Sequence, residues 1–205
     1  MKKVFNLVIV DESGSMGAIR REALTGINET LKNIKAIQKQ FPDMEQVVTL
    51  LTFDSEHQTF IYDNAKVRTT RQLRPDEYQP GGGTPLYDAI GKGIAKVNGH
   101  VTAGDSVLVT IITDGYENCS EEYTLAMVKK LIEELKKEEW TFTFIGTDNL
   151  DVEGAARELG IEDHLSFAQD SVGTQEMFAK ERSARVNFNR RRFNNELEVG
   201  GQFWK

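Results

Sequence analysis

Apolar residues are distributed along the chain in two patterns, one typical of strands and the other of helices. Short, nearly continuous apolar runs are typical of parallel strands that are covered on both faces. Such runs occupy residues 4–10, 47–53 and 106–113, and further strands are predicted over 140–145 and 163–168. Between them lie segments in which apolar residues recur at helical spacing. Helices are predicted over residues 18–37, 86–97, 121–137, 151–159 and 172–192. This alternation predicts an α/β fold with a mainly parallel sheet and right-handed crossovers.

One further strand breaks the alternation. Residues 57–62 form an apolar-rich run that follows the strand over 47–53 after only three residues, Asp54, Ser55 and Glu56. A connection this short permits a hairpin but no helical crossover. We therefore expect this strand to be antiparallel to its predecessor, which brings the sheet to six strands.

Chain length and charge favour one domain with a short C-terminal appendage. The chain has 205 residues and a net charge of −7, so the protein as a whole should not be drawn to nucleic acid or to an anionic membrane. We expect one domain over residues 1–192, with residues 193–205 as a tail or an extra edge element. The charge is uneven, because residues 180–205 contain seven Lys or Arg against three Glu. Such runs are usually solvated faces.

The N-terminal segment and the cysteine content indicate a cytoplasmic protein. Cys119 is the only cysteine, so an internal disulfide is not possible. The apolar N-terminal run meets Asp11 almost at once and lacks the small-residue cleavage site of a signal peptide. No apolar segment approaches the ~20 residues that span a bilayer. We expect the N-terminal run to be a buried first strand.

Oxygen-bearing side chains follow two predicted strands and one glycine-rich loop. Asp11, Ser13 and Ser15 follow the first strand, Asp114 follows the fourth, and Thr84 follows three consecutive glycines. In open parallel sheets ligands bind beyond the carboxyl ends of the strands, so we expect these side chains to converge. Two carboxylates and three hydroxyls suit Mg²⁺ or Mn²⁺, whereas Ca²⁺ usually takes more carboxylate or carbonyl oxygens. Zn²⁺ is not expected, since the three histidines are scattered and the cysteine has no partner.

The motifs at these positions resemble those of the von Willebrand factor type A domain. They are Asp11-Glu12-Ser13-Gly14-Ser15, Gly83-Thr84-Pro85-Leu86 and Thr113-Asp114-Gly115. Their order and spacing are similar to the three-part metal-ion-dependent adhesion site of that family, and the loop after Asp114 resembles that of intracellular bacterial members. The resemblance implies a doubly wound, mainly parallel six-stranded sheet with one antiparallel edge strand and helices on both faces. It also implies a bound divalent ion, usually Mg²⁺, and protein binding rather than catalysis.

The resemblance implies a role for each of the five metal-site residues. Ser13 and Ser15 would bind the metal directly through their hydroxyls, and Thr84 directly or through water. Asp11 and Asp114 would act mostly through bridging waters or one close oxygen, and would orient the serines. One coordination position would stay open for an Asp or Glu carboxylate of an unidentified partner protein. Neutral hydroxyls leave much of the cation's charge uncompensated, which favours such an anion.

Candidate contacts to the partner lie beside these motifs. They are Glu12, Gly83, Tyr116 and Glu117. Glu12 departs from the family pattern, since a second acid beside Asp11 is unusual there. Alternation along the chain predicts that Glu12 points away from the metal. Tyr116 is equally well explained as a surface aromatic residue.

The last predicted helix has an incomplete apolar stripe. Met177, Ala184 and Phe188 lie on it, and Glu181 interrupts it. In related domains a shift of the loop that carries Thr84 is linked to sliding of this helix. We expect packing weak enough to permit such a movement here.

Three other interpretations remain open. Asp, Ser and Gly at the end of a strand are also typical of turns and helix caps. A strand-end Asp with Mg²⁺ occurs in phosphoryl-transfer enzymes, but position 13 is not an acid and Ser13 and Ser15 have no evident His base, so we expect no catalysis. A nucleic-acid-binding accessory role would use basic residues interleaved with Phe188 and Phe193. Those basic residues are Lys180, Arg182, Arg185, Arg190, Arg191 and Arg192.

Overall fold

A computed structural model describes residues 2–196 and 203–204, and its centre is a six-stranded sheet. The strands are β1 Lys2–Asp11, β2 Met44–Phe53, β3 Gln58–Lys66, β4 Ser106–Thr113, β5 Trp140–Thr147 and β6 Asp163–Phe167. The α-helices of the described residues are α1 Arg20–Gln40, α2 Leu86–Asn98, α3 Leu125–Leu135, α4 Val152–Glu158 and α5 Ser171–Phe193. Short 3₁₀ turns occupy Gly14–Ile19, Val67–Thr69 and Pro75–Glu77.

The strand order is β3-β2-β1-β4-β5-β6, and only β3 runs antiparallel. β3 lies at one edge of the sheet, next to β2, as the short connection between them predicts. The six strands, the antiparallel edge strand and the surrounding helices confirm the predicted doubly wound, Rossmann-like α/β fold. The chain leaves β1 toward β2 and later returns to the other side of β1 to form β4. This reversal places a topological switch point between β1 and β4.

Alternate residues of the central strands pack against helices on opposite faces of the sheet. On β1, Leu7 and Ile9 belong to the core formed with α2, α3 and α4. Val8 and Val10 belong to the core formed with α1 and α5. Because both faces are covered, the central strands are mostly apolar, which explains the apolar runs in their sequences.

Two predicted boundaries differ from the structure for identifiable reasons. The helix predicted over 121–137 begins only at Leu125, because the carboxylate of Asp88 accepts hydrogen bonds from the backbone amides of residues 121–123. These amides therefore have hydrogen-bond acceptors without forming a helical turn. The helix starts after Thr124, whose hydroxyl oxygen accepts a hydrogen bond from the Met127 N–H. The edge strand continues beyond residue 62, to Lys66. Its pairing with β2 is irregular there, with shifts in register and a positive φ of 45° at Asn64, and it resumes after the irregularity.

The C-terminal segment is described only in part. Residues 197–202 and 205, on which much of the predicted tail or edge element falls, lie outside the described residues. Phe203 is fully buried, packs against Phe188 of α5, and donates its backbone N–H to Asp163 of β6 at 2.7 Å. In the parts of the chain described, no helix is both long and apolar enough to cross a membrane.

Candidate metal centre

The switch point brings the two predicted carboxylates to one end of adjacent strands. Asp11 is the last residue of β1, and Asp114 directly follows β4. The two strands pair in parallel, with Val10 opposite Ile112. Since the chain connections leave β1 and β4 in opposite directions, a crevice forms between the loops that follow them, and such crevices are where open α/β sheets bind ligands.

Asp11 is completely buried and both of its carboxylate oxygens accept hydrogen bonds. Oδ1 accepts from the backbone N–H of Ser13 at 2.7 Å, and Oδ2 accepts from Thr113 Oγ1 at 2.6 Å. Burial raises the pKa of Asp11 to about 6, and these hydrogen bonds oppose the rise because they stabilise the carboxylate. The bond to Ser13 fixes the turn that presents the two serines.

Asp114 is held from two sides. Its Oδ1 accepts a hydrogen bond from Ser15 Oγ at 2.6 Å, and its Oδ2 accepts one from Gln169 Nε2 at 2.5 Å. Burial raises the pKa of Asp114 above its usual value, against the effect of the bonds from these two side chains. Ser15, on the loop after β1, is thereby joined directly to the loop after β4.

The two serine hydroxyls lie at a separation that suits two neighbouring ligands of one ion. Ser13 Oγ and Ser15 Oγ are 3.3 Å apart. Adjacent oxygens around an octahedral Mg²⁺ are about 3.0 Å apart when each lies about 2.1 Å from the ion. All the donors are hard oxygen atoms, so the residues present fit Mg²⁺ or Mn²⁺.

Thr84 completes the set from the glycine-rich loop. A Cβ atom built on Gly115 would lie 3.2 Å from Thr84 Oγ1 and 3.9 Å from Ser15 Oγ. The two hydroxyls therefore flank the same small space beside Gly115, and a larger residue there would crowd them. Thr84 is fixed through its backbone, because its N–H donates to Asn118 Oδ1 at 2.8 Å and its carbonyl accepts from the Asn118 N–H at 3.2 Å.

The glycine loop lies directly against the loop that carries the serines. Gly81 N–H donates to the carbonyl of Glu12 at 2.9 Å, and Gly14 N–H donates to the carbonyl of Gly82 at 3.1 Å. Gly82 has φ +66°, a conformation that a residue with a side chain adopts only with strain. The Gly83 N–H donates to Ser55 Oγ at 2.9 Å, which ties the loop to the β2–β3 hairpin as well.

The four candidate partner contacts are placed differently from one another. Glu12 Oε1 accepts a hydrogen bond from the Gln79 backbone amide, and Gly83 lies directly before Thr84. Tyr116 is 58% exposed, and its hydroxyl accepts from the Asp151 N–H at 2.9 Å. Glu117 accepts from the backbone amides of residues 87, 119 and 120, so its carboxylate holds its own loop against the start of α2. The four contacts to a partner stay predictions.

Three residues that support the site were not predicted from the sequence. Thr113 is buried and bonded to Asp11, Gln169 is bonded to Asp114, and Tyr78 donates from its hydroxyl to the Asp11 carbonyl at 2.7 Å. The sequence holds a weak signal for two of them. Thr113 precedes Asp114 at the end of β4, and Gln169 follows the end of β6 at the same sheet edge, where polar side chains converge. Tyr78 lies in an irregular loop and carries no such signal.

Fold and site together define a doubly wound α/β domain with an oxygen-lined crevice at its switch point. The family model of the von Willebrand factor type A domain matches residues 7–187, and the chain belongs to that family. A comparison with curated proteins found no match.

Several solved structures share the fold at low sequence identity. The PilB minor pilin from Streptococcus sanguinis is 13% identical, with a TM-score of 0.59 over 92% of this chain. The pilus adhesin SpaC from Lactobacillus rhamnosus GG is 15% identical, with a TM-score of 0.67 over 95% of this chain. A von Willebrand factor type A protein from Catenulispora acidiphila is 15% identical, with a TM-score of 0.60 over 90% of this chain. The chain spans 62%, 30% and 43% of these three proteins, so the similarity concerns a shared domain.

Proposed function

We propose that this chain is a metal-dependent protein-binding domain that takes an Asp or Glu carboxylate of a partner protein. The observation that carries the proposal is the convergence of two carboxylates and three hydroxyls at the switch point. The side chains that would hold the ion are Asp11, Ser13, Ser15, Thr84 and Asp114. Mg²⁺, or Mn²⁺ in its place, would supply a positive charge and an open coordination position for the partner's carboxylate oxygen.

The protein's own residues would orient the donor atoms and would compensate only part of the positive charge of the ion. Asp11 positions Ser13 through its backbone amide, and Asp114 positions Ser15 through its hydroxyl. Only two of the five donor side chains carry a negative charge. An incoming carboxylate therefore gains more at this site than it would at an ion already surrounded by carboxylates.

Membership of the family supports a binding role, since von Willebrand factor type A domains generally mediate protein–protein interactions. One of the structures with this fold is a pilus adhesin, which is itself a binding protein. For the present chain the proposal includes a cytoplasmic location, supported by its single, unpaired cysteine. Fractionation of cells that produce the tagged chain tests that location.

The first test is titration calorimetry with MgCl₂ on the purified chain. The wild type should bind one ion, and the double variant Ser13→Ala/Ser15→Ala should lose at least tenfold in affinity because both hydroxyl ligands are removed. Ser183→Ala, an exposed serine on α5, is the matched control and should bind as the wild type does. Equal affinity in the wild type and the double variant would exclude these serines as ligands.

The second test concerns the partner. The tagged chain should capture a protein from native lysate in MgCl₂ and release it in chelator, and the Ser13→Ala/Ser15→Ala variant should capture none. Replacement of exposed Asp and Glu residues of the captured protein by Asn and Gln should then identify the carboxylate. A partner retained equally in chelator and by the variant would contradict the proposed mode of binding.

Two features of the structure favour binding over the alternative functions. Within the described residues no histidine contacts Ser13 or Ser15, so neither hydroxyl has an imidazole base. Arg185 and Phe188, two residues of the basic and aromatic stretch suggested for nucleic acid, are completely buried. A phosphatase assay with Mg²⁺ and Mn²⁺ tests catalysis directly. Turnover that disappears in Asp11→Ala would favour an enzyme.

A further inference from the structure

A cavity of about 500 Å³ borders the candidate metal centre on the side of the edge strand. It lies among the loop after β1, the β2–β3 hairpin, the Pro75–Glu77 turn and the glycine loop. Thr52 is among the twelve residues that line it, and we call it the acidic cavity because five of the twelve are acids: Glu12, Asp54, Glu56, Asp76 and Glu77. Its volume is within the range of sites that hold a ligand group.

Three of these five acids are not paired with a Lys or Arg among the described residues. Asp76 pairs with Arg74 at 3.2 Å, and Glu77 pairs with Arg71 at 2.6 Å. In contrast, within the described part of the chain the carboxylates of Glu12, Asp54 and Glu56 contact no Lys or Arg. His57, which also lines the cavity, has its Nδ1 3.6 Å from Asp54 Oδ1. The lining of the cavity therefore contains more acidic than basic side chains.

The wall of the cavity also contains a polar group without a partner. Thr52 is 1% exposed, and its Oγ1 has no hydrogen-bond partner among the described residues. A buried hydroxyl that makes no hydrogen bond is unfavourable, and such groups in native proteins usually have a partner. This observation is independent of the acidic residues: the Thr52 hydroxyl can accept a hydrogen bond from a ligand group, and the acidic residues favour a group that carries positive charge.

The acidic cavity and the metal centre share their intervening backbone. Glu12 lies between Asp11 and Ser13, and Gly82, which lines the cavity, is two residues before Thr84. Consecutive Cα atoms are about 3.8 Å apart. One short segment of a partner can therefore reach both places, with one residue at the metal and another in the cavity.

We propose that the acidic cavity binds a Lys or Arg side chain of the same partner segment whose Asp or Glu binds the metal. This inference rests on the proposed function and adds a second element to the partner's recognition sequence: a basic residue about one to four positions from the acidic one. The carboxylate would provide metal dependence. The basic residue would select among the many segments that contain an exposed acid.

A peptide selection tests the two parts separately. A displayed library of random 12-residue peptides is bound to the purified chain in MgCl₂, and bound peptides are released with chelator. Released peptides that share an Asp or Glu with a Lys or Arg at a fixed offset would support the inference. Enrichment of Asp or Glu without a basic residue would overturn the inference and leave the proposed function intact. A selection from which chelator releases no peptides would count against the proposed function itself.

Variants then assign the basic residue to the cavity. The same selection on Asp54→Asn/Glu56→Gln should keep the acidic residue and lose the basic one, while Glu176→Gln, an exposed acid on α5, should change neither. For one selected peptide, replacement of its Lys or Arg by norleucine should weaken binding to the wild type by about fivefold or more, and binding to the double variant by less than twofold. An equal loss in both proteins would place the basic residue elsewhere and overturn the assignment.

Discussion

At the scale of single residues, the hydrogen bond between Gln169 and Asp114 could not be predicted from the sequence. The Gln169 amide donates to Asp114 Oδ2, and its own carbonyl oxygen accepts from Asn149 at 2.6 Å. Asp114 could be predicted because an acid directly after an apolar strand is conspicuous. A glutamine after a short final strand gives only a weak signal, since polar residues are common in loops, and the packing of β6 beside β5 is what brings it to the same edge.

A substitution at Thr113 measures how much its hydrogen bond to the buried Asp11 contributes to stability. Thr113→Val removes the donor to Asp11 Oδ2 without changing the size of the side chain, so the free energy of unfolding should fall by about 1.5–3 kcal/mol. Thr143→Val is the matched control, because Thr143 is equally buried on β5 but its hydroxyl has no partner among the described residues. Urea denaturation of both variants makes the comparison, and equal losses would mean that the bond to Asp11 contributes nothing.

Glu77 should make stability depend on pH in the acid range. Its hydrogen bonds with Arg71 lower the pKa of Glu77 from 4.5 to about 2. A carboxyl whose pKa is lower in the folded state stabilises the fold above pH 4.5, and this contribution disappears as the pH falls toward 2. Urea denaturation from pH 2 to 7 should therefore show Glu77→Gln less stable than the wild type at neutral pH and similar to it near pH 2. Glu176→Gln serves as control, and a difference that grows in acid would contradict the assignment.

At the scale of elements, α5 corrects the interpretation drawn from its sequence. Glu181 does not leave a gap in the packing, because it is 1% exposed and accepts a hydrogen bond from Arg185 Nε at 2.7 Å. Arg185 is also buried, and it donates to Asn6 on β1 at 2.6 Å and to Thr110 on β4 at 2.9 Å. A polar cluster thus anchors α5 to the two central strands. Helical periodicity cannot reveal this, since it treats every charged residue as solvent-facing.

Removing one member of the buried ion pair between Glu181 and Arg185 should lower the stability of the fold. Arg185→Met leaves the buried Glu181 carboxylate without its charge partner, so the free energy of unfolding should fall by about 3–5 kcal/mol. The double variant Glu181→Met/Arg185→Met removes both charges and should lose less than the single variant. Arg182→Met, at an exposed position of the same helix, should be nearly neutral. Urea denaturation gives all three values, and equal losses in the single and double variants would show that the two charges are not coupled.

The alternation of strands and helices could be predicted almost completely, for a physical reason that applies to each central strand. β1 is covered on both faces, so its sequence is apolar almost throughout, and the helices that cover it each bury one stripe. Asn6 is the buried polar residue in the middle of β1, and it accepts a hydrogen bond from Arg185. What could not be predicted are contacts between distant elements, such as Asp88 with residues 121–123, since no local pattern encodes them.

At the scale of the whole molecule, the candidate metal centre joins loops that belong to both halves of the sheet. Ser13 and Ser15 follow β1, Asp114 follows β4, and Thr84 precedes α2. Unfolding of any of these elements would separate the donors. An ion held by all of them would bind the folded chain far better than the unfolded one, so the proposed metal binding would raise the free energy of unfolding.

This linkage predicts how the thermal midpoint depends on Mg²⁺. At a free concentration 100 times the dissociation constant, binding should add about 2.7 kcal/mol to the free energy of unfolding. For a chain of this size that corresponds to a rise in Tm of about 5–10 °C. Asp11 and Asp114 also repel each other when no cation lies between them, which adds to the dependence.

Thermal melts in chelator and across a series of MgCl₂ concentrations measure the effect. Ser13→Ala/Ser15→Ala should still melt cooperatively but with a Tm that changes little with Mg²⁺, because the direct hydroxyl ligands are gone. Ser183→Ala should follow the wild type, which shows that the loss belongs to the site and not to serine replacement in general. A Tm that rises equally in the wild type and the double variant would mean that Mg²⁺ stabilises the chain at another place. A wild-type Tm that does not move up to millimolar Mg²⁺ would mean that the crevice does not bind the ion at physiological concentrations.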